Sequence, residues 1–239
     1  MTPFLTDIHM HLLWDLDDGP ETAEDMHKML AEAHDQGYKR IYATPHVCPG
    51  YVAFDQEKYE IRLNEAQQYC ISRGWDIEIL PGAEVAWTYQ TADALRRGDA
   101  PPMGQTDYVL MELLPNISYQ EALRAVRTLN STGYTPIIAH VERCRCFLWA
   151  PRKALRFREE TGALFQMNAG TLLHPKTLSQ LRMRNLLLKH KAIDAIATDA
   201  HGTPQRPVNL LAAYEWLIRH VEKAYAGKLT SFPSMTENA

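Results

Sequence analysis

The chain has 239 residues, a net charge of −4 and ten histidines, and these numbers exclude several classes of protein. Its hydrophobic fraction of 46% and charged fraction of 23% are typical of a folded globular protein rather than a disordered or fibrous one. Because the chain is not basic overall, non-specific binding to nucleic acid is not expected. The length suits a single domain, which we expect to span residues 1–239.

The cysteine content and the N-terminal sequence favour a cytoplasmic protein. Four cysteines are too few for a disulfide framework in a chain of this length. Residues 1–7 contain no basic region followed by a long apolar stretch, so a signal peptide is not expected. No run approaches the ~18 consecutive apolar residues of a membrane helix. We therefore expect a cytoplasmic protein that is not inserted in a membrane, and the sequence leaves its oligomeric state open.

Short apolar runs alternate with longer amphipathic segments along the whole chain. Seven runs are predicted to be strands, at residues 4–8, 40–44, 77–80, 108–111, 136–139, 163–167 and 192–197. The predicted helices between them end at Gly37, Gly74, Gly98, Gly133 and Gly162. Proline opens several helices, including one at Pro175 and a final one at Pro207. This alternation predicts β–α units and a mostly parallel sheet.

The fourth predicted helix has a specific start signal. Ser118 and Glu121 form an S-x-x-E pattern ahead of an apolar stripe, which predicts a capping box. The first helix carries Met26, Met29 and Leu30 at helical spacing, which predicts that this face is buried. The alternation of helices and strands fits either an open doubly wound sheet or a closed barrel.

Residue types that bind metal ions follow six of the seven predicted strands. They are His9 and His11 after the first strand, then His46, Glu84, Glu112 and His140, and finally Asp199 and His201; Asp18 lies in an Asp-Asp-Gly loop after the first strand. In α/β barrels, side chains at the carboxyl ends of the strands converge on one mouth. Contributions from every side favour a barrel over the single crevice of an open sheet, so we expect an α/β fold of the TIM-barrel type.

The chemistry of these side chains indicates a cluster of transition-metal ions. Imidazole combined with carboxylate suits Zn²⁺, Mn²⁺ or Fe²⁺ better than Ca²⁺ or Mg²⁺. Five histidines and four carboxylates are too many for one ion, so we expect two or three ions with at least one bridging carboxylate. Taken singly, Asp18 fits a turn and His140 fits a hydrogen-bonded core histidine. Unrelated structural roles for such residues at six strand ends would be a coincidence, and a shared metal site is the better explanation.

Six segments resemble the PHP (polymerase and histidinol phosphatase) family of metal-dependent phosphoesterases. They are D-I-H-M-H at 7–11, D-D-G at 17–19, A-T-P-H at 43–46, G-A-E-V at 82–85, A-H-V-E-R at 139–143 and T-D-A-H at 198–201. Within that family the chain is most similar to the CpsB/CapC-type tyrosine-protein phosphatases of bacterial capsule and exopolysaccharide operons. That similarity lies in the loop at 11–20, the A-H-x-E-R segment and the spacing from Asp199 to Arg206.

The resemblance implies a distorted (β/α)₇ barrel that holds three metal ions. One ion would lie among His9, His11, Glu84 and Asp199, a second among Glu84, Glu112 and His140, and a third among Asp18, His46 and His201. Mn²⁺ is the ion that the resemblance favours, with Fe²⁺ and Zn²⁺ as alternatives. Arg143 and Arg206 match arginines that bind phosphate, and with Asp199 they make up the expected catalytic set.

The activity implied by the resemblance is hydrolysis of phosphotyrosine by metal-activated hydroxide, with the two arginines stabilising the phosphate. The substrate would be a phosphotyrosine protein, specifically a bacterial tyrosine kinase that controls capsule or exopolysaccharide synthesis. Two alternatives are another PHP phosphoesterase, such as histidinol-phosphate phosphatase, and a metal-free binding module without activity.

A cysteine-dependent phosphatase is a third alternative, because Cys146 and Arg152 have the C-x₅-R spacing of that class. The residues between them contain no glycine, and Pro151 has no N–H to donate to a phosphate. The sequence therefore disfavours this mechanism.

Overall fold

Parallel β-strands form the centre of the protein in the computed structural model, which describes residues 3–232. The strands are β1 (Leu5–Met10), β2 (Tyr38–Ala43), β3 (His46–Val47), β4 (Glu78–Pro81), β5 (Glu84–Ala86), β6 (Tyr108–Glu112), β7 (Thr135–Ile138), β8 (Leu164–Asn168) and β9 (Ala195–Ala197). They form a three-stranded sheet of order β1-β2-β4 and a six-stranded sheet of order β3-β5-β6-β7-β8-β9. The expectation of one domain over residues 1–239 extends beyond the described residues at both ends.

Two short strands, β3 and β5, lie outside the seven predicted strands and directly follow two of them. Thr44 and Pro45 separate β2 from β3, and Gly82 and Ala83 separate β4 from β5. Pro45 has no N–H for a sheet ladder, although its carbonyl accepts a hydrogen bond from the Glu84 N–H at 3.0 Å. A Cβ at Gly82 would lie 3.0 Å from the Met103 sulfur and 3.1 Å from the Thr44 methyl group, so the backbone passes close to both side chains here. The other seven strands correspond to the seven predicted ones.

The first and last strands meet at their carboxyl ends. The Asp199 N–H donates to the His9 carbonyl at 2.8 Å, and the His11 N–H donates to the Ala200 carbonyl at 3.0 Å. Inside, alternate side chains from strands of both sheets pack into one apolar cluster, which includes Ile8, Tyr42, Leu110, Ile137 and Ala195. The sheets therefore curl around a common interior, and the expected α/β fold, a distorted TIM-barrel-like one, is confirmed.

Ten α-helices pack around the strands within residues 3–232. They are α1 (Ala23–Asp35), α2 (Gln56–Arg73), α3 (Thr91–Arg97), α4 (Tyr119–Ser131), α5 (Arg145–Leu148), α6 (Arg152–Thr161), α7 (Ala169–Leu173), α8 (Leu178–Lys189), α9 (Leu210–His220) and α10 (Lys223–Ser231). None of them is both long enough and apolar enough to cross a membrane. The larger hydrophobic cluster lies between this helical layer and the strands.

The local signals read from the sequence place most helix ends correctly. Gly74, Gly98 and Gly162 adopt the left-handed conformation at the ends of α2, α3 and α6. The capping box before α4 forms as predicted, because Ser118 accepts from the Glu121 N–H and the Glu121 side chain accepts from the Ser118 N–H. The predicted buried face of α1 is confirmed.

The last predicted helix is present as α9, but it is neither opened by Pro207 nor the final helix. The helix begins at Leu210, and α10 follows it. Helix α10 packs against β1 and β9, and Phe232 after it joins the apolar cluster inside the barrel, with its ring 6.0 Å from that of Tyr108. This segment covers the end of the barrel opposite the carboxyl ends of the strands.

Candidate metal centre

All nine predicted metal ligands lie at the mouth formed by the carboxyl ends of the strands, and the structure brings eight of them into three overlapping groups. The groups are His9, His11, Glu84 and Asp199; His11, Asp18, His46 and His201; and His46, Glu84 and Glu112. Within each group, one ligand atom per residue lies within 4.8 Å of the corresponding atoms of the others. His140 adjoins the cluster, with its Nε2 at 2.7 Å from Glu84 Oε1 and 3.7 Å from Glu112 Oε1.

The innermost group is fully buried and has the spacing of metal ligands. The Nε2 atoms of His9 and His11 are 3.3 Å apart, and each lies 3.2 Å from Glu84 Oε2 and 3.6 Å from Asp199 Oδ1. Ligand atoms that stand about 2.1 Å from a central ion are separated from one another by about 3.4 Å in tetrahedral geometry. The four donors of this group therefore fit around a single first-row ion.

Glu84 occupies the position expected of a bridging carboxylate. Its Oε2 lies 3.1–3.2 Å from nitrogens of His9, His11 and His46, and its Oε1 faces His140. One carboxylate therefore touches four imidazoles from different parts of the chain. If metal ions bind here, Glu84 would be a ligand common to neighbouring ions.

The ligand sets implied by the resemblance agree with the observed groups in part. The first implied set coincides with the innermost group. The observed group that corresponds to the third set contains His11 in addition to Asp18, His46 and His201. In the second, His46 lies within reach of both Glu84 and Glu112, whereas His140 adjoins them from the side. Asp18 and His46 are exposed, so this part of the centre opens to solvent.

The buried carboxylates make the binding of positive charge strongly favourable at this centre. Burial lowers the pKa of His11, but hydrogen bonds to Asp17 and Glu84 outweigh it and raise that pKa to about 10. Burial also lowers the pKa of His9, yet the charges of Glu84 and Asp199 produce a net rise. Burial raises the pKa of Glu84, but the neighbouring histidines hold it well below its usual range. Divalent ions supply this positive charge while leaving the histidines neutral, as ligation requires.

Asp17 orients two of the predicted ligands, a role that the sequence interpretation missed. Its Oδ2 accepts a hydrogen bond from His11 Nδ1 at 2.6 Å and another from the His46 N–H at 2.9 Å. Burial raises its pKa, but the hydrogen bond and charge of His11, together with hydrogen bonds from the backbone of His46 and Gly19, lower that pKa to about 2. Because Nδ1 of His11 is held by a carboxylate, its Nε2 is directed into the centre.

Two amide side chains on β8 connect three more ligands and were also missed. Gln166 Oε1 accepts from the His140 N–H at 2.6 Å and from His9 Nδ1 at 3.2 Å. The Gln166 amide donates to Asn168 Oδ1 at 2.8 Å, and Asn168 donates to Asp199 Oδ2 at 2.7 Å. An amide oxygen only accepts, so His9 carries its proton on Nδ1 and turns an unprotonated Nε2 toward the centre.

Replacing Gln166 with leucine is expected to weaken metal binding about 10- to 100-fold, because His9 loses the acceptor that fixes its tautomer. Isothermal titration of the metal-depleted protein with Mn²⁺ measures the change. Gln67→Leu is a matched control, since Gln67 donates to the Ile79 carbonyl away from the centre. Equal Mn²⁺ affinity in the Gln166 variant and the parent would contradict this positioning role.

Two of the predicted ligands have unusual backbone conformations. His140 and Asp199 adopt φ angles of 30° and 55°, in the left-handed region that non-glycine residues rarely occupy. Such strain costs about 1–3 kcal/mol per residue and persists where the surroundings enforce it. Hydrogen bonds from the His140 N–H to Gln166 and from the Asp199 N–H to His9 hold the two positions. Both strained residues direct their side chains into the cluster.

Arg143 and Arg206 lie at the rim of the centre, and both contact Asp199. Arg143 Nη2 donates to Asp199 Oδ2 at 2.6 Å, and Arg206 Nη2 donates to Asp199 Oδ1 at 2.7 Å. Arg206 also donates to Asp18 Oδ2 at 3.1 Å. Both arginines are partly exposed, with 39% and 28% of their side-chain surface accessible. The structure thus brings together the three residues expected to form the catalytic set.

The cysteine alternative gains no support from the structure. Cys146 is half-buried within α5, and burial raises the pKa of its thiol. A nucleophilic cysteine requires the opposite shift. Pro151 lies at the start of α6, directly before Arg152, and still offers no N–H to a phosphate.

The barrel and its cluster of histidines and carboxylates together define a candidate metalloenzyme of the TIM-barrel-like class. A protein-family model described as "Capsular polysaccharide synthesis, CpsB/CapC" matches residues 5–236. The chain belongs to the CpsB/CapC family.

Relatives with known names match the chain over most of its length. It is 27% identical over 216 residues to the tyrosine-protein phosphatase CpsB of Streptococcus pneumoniae, which covers 88% of each chain. It is 28% identical over 237 residues to the tyrosine-protein phosphatase YwqE of Bacillus subtilis, which covers 98% of this chain and 90% of that one.

Solved structures match the fold. A chain from crystal structures of YwqE and CpsB, described as metal-dependent tyrosine phosphatases, superposes with a TM-score of 0.86 at 24% identity and covers 97% of this chain and 93% of that one. A histidinol phosphate phosphatase from Lactococcus lactis, complexed with zinc, histidinol and phosphate, superposes with a TM-score of 0.58 at 16% identity. The match covers 90% of this chain and 92% of that one. At these identities the likeness establishes the fold.

Proposed function

We propose that this chain is a metal-dependent tyrosine-protein phosphatase, a phosphoric monoester hydrolase. The observation that carries the proposal is the meeting of two guanidinium groups, those of Arg143 and Arg206, at the rim of a cluster of metal-binding side chains. A phosphate dianion requires this combination of positive groups, since each oxygen must be held and its charge offset. The names of relatives that match at least 88% of the chain support tyrosyl phosphate as the substrate.

The nine predicted ligands would hold two or three divalent ions, which when bound polarise phosphate oxygens and lower the pKa of water. We propose Mn²⁺ as the preferred ion, with Fe²⁺ and Zn²⁺ as alternatives. The donor set of imidazoles and carboxylates supports this choice over Ca²⁺ and Mg²⁺.

Arg143 and Arg206 would bind the phosphate directly. Each guanidinium presents a planar fork of donors that matches two phosphate oxygens, and both forks reach solvent at the mouth. Asp199 positions the forks, because one of its oxygens faces each arginine, while Asn168 fixes the carboxylate from behind. The departing tyrosyl oxygen has a pKa near ~10 in free tyrosine, so it needs less protonation than an alkoxide.

We further propose that the substrate is a phosphorylated bacterial tyrosine kinase of the capsule system and that the protein acts in the cytoplasm. The family description, capsular polysaccharide synthesis, supports the biological context. The four cysteines are free, which supports a reducing compartment.

Metal dependence is tested against the cysteine mechanism with one variant and one reagent. We expect chelation with EDTA to abolish hydrolysis of a phosphotyrosine peptide, and added Mn²⁺ to restore it. Cys146→Ser is expected to keep kcat/KM within about twofold of the parent, since its thiol is not activated. Activity that survives the chelator but disappears in Cys146→Ser would overturn the proposal.

The same assay separates this function from that of a histidinol-phosphate phosphatase. We expect a higher kcat/KM for the phosphotyrosine peptide than for histidinol phosphate, measured side by side as phosphate release. A preference for histidinol phosphate contradicts the tyrosine-specific proposal. A chain that binds no metal and hydrolyses neither substrate is a binding module.

A further inference from the structure

A groove of about 850 Å³ lies next to the candidate metal centre. It runs between the loops that follow β3, β5 and β6, the strands that carry three of the predicted ligands. Cys48, Trp87 and Leu114 in its walls follow His46, Glu84 and Glu112 by only two or three residues. The strands that carry these three residues therefore continue directly into the loops that form the walls of the groove.

The walls of the groove are fixed to each other. The Thr88 hydroxyl donates to the Pro49 carbonyl at 2.9 Å and joins the loop after β5 to the loop after β3. Gly50 has a φ of +82°, and a Cβ there would lie 2.5 Å from the Gln90 amide. The two loops thus pack closely, and the groove is formed before anything binds in it.

Three exposed apolar side chains line this groove together. Tyr51, Tyr89 and Leu114 line it and are 81%, 85% and 56% exposed. Its charged lining residues are Glu121 and Arg124, whose charges interact with each other. Single exposed hydrophobic residues are common, but several that line one preformed groove mark a binding surface. The lining favours an apolar occupant over a strongly charged one.

We infer that the groove binds the polypeptide segment beside the phosphotyrosine of the substrate protein, through apolar side chains of that segment. This inference rests on the proposed function. The phosphate would bind at the metal centre, so the rest of the substrate chain must leave the mouth over the loops around it. The groove begins at those loops and exceeds the volume of a phosphotyrosine side chain. Tyr51, Tyr89 and Leu114 determine specificity for the flanking residues.

Two phosphotyrosine peptides and one small substrate test the inference. One peptide carries leucines at the positions flanking phosphotyrosine, the other carries glycines, and the small substrate is p-nitrophenyl phosphate. The parent is expected to prefer the leucine peptide by about tenfold or more in kcat/KM. Tyr89→Ala and Leu114→Ser, alone and combined, are expected to remove that preference through KM and to leave p-nitrophenyl phosphate turnover within about twofold.

Ile71→Ser is the matched control, because Ile71 is exposed on α2 and does not line the groove. An unchanged peptide preference in the double variant overturns the inference, as does an equal loss on all three substrates. If the groove instead binds a second copy of the chain, the variants will change the oligomeric state measured by sedimentation but keep the peptide preference. That result would also overturn the inference. If the parent hydrolyses no phosphotyrosine, the proposed function is wrong, and the inference that rests on it is wrong as well.

Discussion

Glu84→Gln is expected to lower kcat/KM for phosphotyrosine by about a thousandfold or more. The carboxylate of Glu84 lies between four imidazoles and is shared by two of the ligand groups. A glutamine has the same shape but no charge, and its amide presents N–H donors where positive ions must bind. The variant should therefore lose both activity and bound metal.

Phosphate release and elemental analysis of the purified variant measure the two losses separately. Glu65→Gln is the control, because Glu65 accepts from the Trp14 indole outside the cluster. Circular dichroism establishes that the variant folds, and Glu84→Asp provides a second variant that keeps the charge. Full metal content and activity in Glu84→Gln would exclude the bridging role.

Arg206→Ala is expected to reduce kcat/KM about 100- to 1000-fold while metal content stays that of the parent. The guanidinium contacts Asp199 and Asp18 at the mouth, where it would meet the phosphate. Arg206→Lys should recover part of the loss, since lysine keeps the charge but loses the fork. Inhibition by inorganic phosphate reports binding directly, and its inhibition constant should rise in the alanine variant.

A surface arginine provides the comparison for this result. Arg97 pairs with Asp99 in the exposed segment after α3, and Arg97→Ala should leave both kcat/KM and phosphate inhibition unchanged. If Arg206→Ala loses metal in proportion to activity, the residue supports the ligands rather than the phosphate. Unaltered phosphate inhibition would lead to the same conclusion.

The fold was predictable because its pattern is local. Apolar runs, capping residues and glycine stops identify the seven strand positions and most helix ends. The short strands β3 and β5 were not predicted, because runs of two and three residues carry too little pattern and their pairing with each other depends on the fold. Helix α10 was missed because nothing in its sequence marks it as clearly as the capping box marks α4.

The residues predicted to bind metal were the part of the candidate site that the sequence revealed. Their types and their positions at strand ends are visible in the sequence, whereas the partner of each histidine is not. Asp17 stood next to the chosen Asp18, and only geometry distinguishes the orienting carboxylate from the ligand. Gln166 left one signal, a polar amide within the apolar run of β8, but its contacts with His9 and His140 require the fold.

The meeting of β1 and β9 determines when the site can form during synthesis. Asp7 on β1 accepts hydrogen bonds from the backbone and hydroxyl of Thr198, which lies 191 residues later. A ribosome exposes His9 and His11 early, but Asp199 and His201 leave the exit tunnel only after most of the chain has been made. High-affinity metal uptake is therefore expected to be a late event, because a nascent chain that ends before Asp199 carries only part of the predicted ligand set.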